Sequence, residues 1–163
     1  MAEEWLDRLA QEIKQKNREA AEQFGRSQHY AGVIADQGKG YFVALTRCLQ
    51  ENVEALRRGL QGDVTSAETG VQTPKPDEIK ITRARFPWGD ARVMHNQDTV
   101  TLDYAKGPGS EGDPQVDRKT ASFAFKVAPD DSLYTEDGFL AEPKQYKRPE
   151  ELARRITEIL FGV

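Results

Sequence analysis

Residues 79–105, IKITRARFPWGDARVMHNQDTVTLDYA, decide the fold class. Three runs in it, IKITRARF, ARVMH and TVTLDYA, are rich in β-branched and aromatic residues, and turn-type sequences separate them: Pro87-Trp88-Gly89-Asp90 and then Asn96-Gln97-Asp98. Branched side chains suit a pleated, half-buried surface, whereas Asn, Asp, Gly and Pro favour turns. The stretch is therefore predicted to form consecutive strands joined by short links.

Two more runs continue the pattern downstream. TASFAFKVA and SLYTE are bounded by Ala128-Pro129-Asp130-Asp131 and Glu136-Asp137-Gly138, which makes about five strands in an antiparallel meander. Only residues 106–118, KGPGSEGDPQVDR, are long enough for an open loop. Period-two alternation places Val100, Leu102 and Tyr104 on one face, with Phe123, Phe125 and Val127 doing the same in their own strand. That apolar face needs a cover. The last segment supplies one: Pro149 suits a first helical position, Glu150 and Glu151 suit the positive end of the helix dipole, and Leu152, Ile156, Ile159 and Leu160 form a stripe.

Upstream, residues 61–78 are rich in Thr, Gly and Pro and contain Pro74-Lys75-Pro76, so they read as a linker. Residues 1–60 show helical periodicity instead. Leu6, Leu9, Ile13, Ala20 and Phe24 recur at three- and four-residue spacings beside Trp5, and Gly25 is expected to stop that helix. A second stripe runs through Phe42, Leu45, Cys48, Leu49, Val53, Leu56 and Leu60. Residues 27–40, with Gly32, Gly38 and Gly40, fit a helix broken near Gly38 and also a short strand. The expected fold is α+β: a helical hairpin over 1–60, a linker over 61–78, and a sheet with a C-terminal helix over 79–163, in one composite domain.

Bulk properties narrow the function. Acidic and basic residues balance at nine each over residues 1–60, and no later segment carries the basic excess that counterion release from nucleic acid requires. Charges interrupt every apolar run before membrane-spanning length, and the N-terminus lacks the basic start of a signal peptide. Cys48 is the only cysteine, so neither an internal disulfide nor a paired-cysteine zinc site can form. A soluble cytoplasmic protein with no nucleic-acid or membrane partner is expected.

Chemical motifs are weak. GVIADQGKG approximates a phosphate-binding loop, but five residues separate Gly32 from Gly38, and Gly40 stands where a hydroxyl must reach magnesium. The acidic pairs near Asp130 and Asp137 fail as a calcium loop, because Leu133 falls where an oxygen ligand is required. Cys48 lies in an apolar stripe and reads as a small buried hydrophobe. No catalytic residue, cofactor or metal ligand is therefore assigned. His95, Tyr104, Arg83, Arg85 and Arg92 are the candidate ligand contacts, the arginines because a guanidinium fork matches anions.

Two functions are consistent with these residues. One is a non-catalytic interaction or oligomerisation domain, a homodimer or a partner's docking site. Its candidate contacts are Trp5, Leu9, Ile13, Leu45, Leu49 and Trp88, with Lys16 and Asn52 as polar breaks that fix register. The other is a small-molecule binder or enzyme with a pocket between sheet and helices.

Overall fold

A computed structural model describes residues 2–59, 69–83, 88–107, 118–138 and 142–162. Seven strands form one antiparallel sheet in sequence order: β1 (Thr69–Lys75), β2 (Glu78–Arg83), β3 (Trp88–His95), β4 (Thr99–Gly107), β5 (Arg118–Val127), β6 (Leu133–Asp137) and β7 (Gln145–Tyr146). The helices are α1 (Ala2–Gly59) and α2 (Pro149–Phe161). The chain is α+β, as its alternation predicts.

The strand pattern differs from expectation in several places, among them Glu136 and Asp137, expected in a turn, which end β6 and pair with Ala124 and Phe123. Thr69–Lys75 belongs to β1 and not to a linker. Pro74 is tolerated because β1 is an edge strand and its pairing with β2 shifts register between Gln72 and Lys75. Trp88, Gly89 and Asp90, expected in a turn, instead begin β3 and pair with Gly107, Lys106 and Ala105. Asn96–Asp98 and Ala128–Asp131 do turn the chain, with Asp131 taking a φ of 61°.

The larger correction concerns the helices. Instead of a hairpin over 1–60, α1 is one uninterrupted helix of 58 residues, about 87 Å long at 1.5 Å per residue. Gly25, Gly32 and Gly40 lie within it with open space around them. A glycine costs a helix interior only about 1 kcal/mol, which long flanking stretches of good helix formers outweigh. Gly38 is different: it is buried, and a Cβ there would lie 3.4 Å from His95 Nε2. Its missing side chain lets α1 approach the end of β3.

The core lies between one sheet face and the two helices. Phe42, Leu45, Leu49 and Val53 of α1 meet Ile79, Val93, Leu102 and Phe123 of the sheet, with Leu152 and Ile156 of α2 closing the layer. Each fully buried side chain of this size contributes roughly 1.5–3 kcal/mol. The other sheet face is wet. Arg118 pairs there with Asp90 and Asp103, each at 3.4 Å, and Arg92 with Glu78 at 3.6 Å.

Polar links fix how the helices sit. The buried Tyr41 hydroxyl is 3.2 Å from Thr135 Oγ1, and 3.3 and 3.5 Å from the carbonyl oxygens of Tyr146 and Arg148, to one of which it donates. Desolvation pushes this phenol up to about 12. Asn52 donates from Nδ2 to Thr157 Oγ1 at 3.2 Å, so the polar break in the second stripe joins α1 to α2. Farther along α1, His29 Nε2 lies 2.9 Å from Asp131 Oδ1, and Gln37 donates to the Asp131 carbonyl at 3.1 Å.

Candidate functional site

These links define where α1 leaves the body of the molecule. Residues 3–32 are exposed throughout, and half-burial begins only at Val33 and Ile34. The first half of α1 is therefore an arm, about 45 Å long, that extends past the end of the sheet.

The arm carries an apolar stripe. Trp5 is 58% exposed, Ile13 51% and Phe24 65%, with Leu6 and Leu9 alongside. Wound at about 100° per residue, these residues and Ala20 fall within roughly 100° of one another. Carried along the helix, the same azimuth meets Ile34, Gly38, Tyr41, Leu45 and Leu49. The face that the C-terminal half buries against the sheet is thus the face that the arm presents to solvent. Isolated exposed apolar residues need no explanation, but a row of them along one helix face, here interrupted by Lys16, marks a contact surface.

The interface residues expected from sequence separate into three groups. Trp5, Leu9 and Ile13 line the arm. Leu45 and Leu49 are completely buried in the core, so they are not available to a partner. Trp88 contributes backbone to the start of β3, and its side chain lies outside the described residues. Phe24 and Tyr30, absent from the expected interface set, are exposed on the arm; a helix stop at Gly25 would have separated Phe24 from Ile34 and Tyr41, with which it shares one continuous helix.

The ligand candidates do not converge. His95 ends β3, with its ring stacked on Phe42 at 5.3 Å and edge-on to Phe125 at 5.6 Å. Its Nε2 is buried, has no hydrogen-bond partner among the described residues, and is turned to α1 at Gly38. Burial lowers the imidazole's proton affinity, Asp77 opposes this and Lys39 adds to it. Tyr104 is on the same sheet face but four residue pairs away along β4, packed against the core. Arg92 is on the opposite face, paired with Glu78. Arg83 ends β2 with its side chain outside the described residues, as is all of Arg85.

A cavity of about 930 Å³ opens where the arm leaves the sheet, between Tyr30, Ala31 and Ile34 of α1 and Phe125 and Val127 of β5, and His95 lines it together with Lys39 and Asp77. It is an open cleft of mixed polar and apolar lining at the foot of the stripe. Among the described residues, no group of His, Cys, Asp and Glu is placed to hold a metal ion, and no helix is long and apolar enough to cross a membrane. Cys48 is buried, and burial raises its thiol above the ordinary value.

No family model matches the chain, and neither a curated protein nor a solved structure matches it. The fold and the surface therefore define only a class: an α+β body with a projecting amphipathic helix.

Proposed function

We propose that this chain is a non-catalytic interaction domain of the cytoplasm that engages a protein partner through the arm of α1. The observation that carries the reading is the stripe itself. Trp5, Leu6, Leu9, Ile13 and Phe24 stay in water on the azimuth that the same helix uses to bury its other half. Burying such side chains yields roughly 1.5–3 kcal/mol each, so a helical groove or a second helix is the natural occupant. The lone buried thiol suits a reducing compartment.

Photo-crosslinking in cells tests this reading. A photoreactive residue at Leu9 or Ile13 is expected to capture protein, whereas the same residue at Gln11 or Arg18, on the opposite side of α1, is not. Equal or absent capture from both sides would overturn it.

A further inference from the structure

We infer that the occupant of the stripe is the arm of a second copy of this chain, laid antiparallel. The inference rests on the interaction reading and adds the partner, its direction and its register.

Direction follows from sterics. The sheet packs on the same side of α1 as the stripe. A second arm laid parallel and in register would bring its own sheet into the space already filled by this one. Antiparallel arms put the two sheets at opposite ends, clear of each other.

Charge favours the same arrangement. Residues 3–12 carry Glu3, Glu4, Asp7 and Glu12 against Arg8 alone, whereas residues 13–26 carry Lys14, Lys16, Arg18 and Arg26 against Glu19 and Glu22. Antiparallel pairing sets the acidic end of each arm beside the basic stretch of the other, and parallel pairing sets like beside like.

Register follows from the end of the sheet. We place the N-terminus of the second arm beside Ala31 and Gly32, where half-burial of α1 by the sheet begins, with the β5–β6 turn flanking α1 through the His29–Asp131 pair. Leu9 then stands opposite Phe24 of the second copy, Ile13 opposite its Ala20, and Lys16 opposite its Asn17. Ile13 thus packs against a small residue, and Leu9 and Phe24 bury their side chains against each other. The Trp5 and Leu6 side chains of the second copy reach Ser27 and the cleft at Tyr30 and Ala31. Lys16, at the crossing point, lies one helical turn from Glu12 and Glu19 of its own arm, and its long stem can cover the seam while the ammonium reaches water.

The test uses the intact chain. Sedimentation equilibrium is expected to give twice the chain mass, and Leu9→Asp is expected to weaken the dimer by about a hundredfold or more, because it buries an unpaired carboxylate. The urea midpoint of the body should not move, since Leu9 touches no core residue. Single variants Ile13→Cys and Ala20→Cys, mixed and oxidised, should form the mixed disulfide. Neither should couple to itself, because like positions sit about 10 Å apart along the axis. Self-coupling of each variant would overturn the antiparallel arrangement, and a monomer at millimolar concentration would overturn the second copy as occupant. Stripe-specific capture in cells alongside a purified monomer would leave the interaction reading standing, whereas failure of both would remove both.

Discussion

Replacing Gly25 with Ala tests the continuity of α1 by the sign of its effect. Gly25, Gly32 and Gly40 are helical, and a Cβ built on each meets nothing within 4 Å. In an unbroken helix Ala is favoured over Gly by about 1 kcal/mol, so Gly25→Ala should slow amide exchange across the arm by about fivefold. Gly40→Ala, in the stretch that packs on the sheet, should raise the unfolding free energy in urea by about 1 kcal/mol. If Gly25 instead ended a helix in the left-handed conformation, Ala would cost about 1–2 kcal/mol, and exchange around residues 20–30 would accelerate. Gly38 is the internal control. A Cβ there sits 3.4 Å from His95 Nε2 and 3.7 Å from Phe125 Cε2, so the helical gain of Gly38→Ala is offset by crowding, and Gly38→Leu should cost about 1–3 kcal/mol. A loss of helicity by circular dichroism in Gly25→Ala or Gly32→Ala would refute the single helix.

Other perturbations probe the body. Tyr41→Phe removes the hydroxyl that joins α1 to β6 and to the carbonyls of Tyr146 and Arg148, and strands the fully buried Thr135 hydroxyl; urea titration should show a loss of about 2 kcal/mol. Leu49→Ala should cost about 2–5 kcal/mol by the same measurement, in contrast to Leu9→Ala, which should leave the body unchanged. Burial depresses His95 protonation in the folded state, so the unfolded chain takes up that proton first. Its contribution to stability is complete above the ordinary histidine value of about 6.5 and is lost as pH falls from there towards the lower folded-state value. His95→Phe, which keeps the ring between Phe42 and Phe125, should flatten that part of the stability–pH curve.

How much of this fold the sequence discloses depends on how local the cause is. β2 to β6 were legible because alternation and turn chemistry act over a few residues, and Pro149 marked α2 for the same reason. β1 was hidden because Gly70 and Pro74 interrupt its Thr and Val residues, and only the adjacent β2 makes it a strand. β7 has two residues, and no period can be read from two. Glycine misled most in α1. Each Gly lowers local helicity, but a helix of this length is cooperative, and the sheet fixes its second half through Phe42, Leu45 and Leu49.

The interaction surface was legible as a stripe but not as an exposed one. Periodicity assigns Leu9 and Leu49 to equivalent apolar faces, and it cannot say that one is completely buried while the other faces water. That distinction depends on where the sheet ends relative to a helix about 87 Å long, and so on the length of the strands, not on anything near Leu9. The sheet half-buries α1 only from Val33 and Ile34 onward because the strands β3 to β6 have just five to ten residues, and beyond them the β5–β6 turn touches α1 at His29. The same edge that exposes the stripe also bounds what can cover it: it blocks a parallel copy, and an antiparallel one placed with its N-terminus beside Ala31 sets Lys16 beside Asn17 at the crossing. Lys16, expected from the sequence to fix register, thereby falls at the centre of the proposed dimer, where two-fold symmetry brings it beside its own copy and where a polar residue is best placed to penalise any other register.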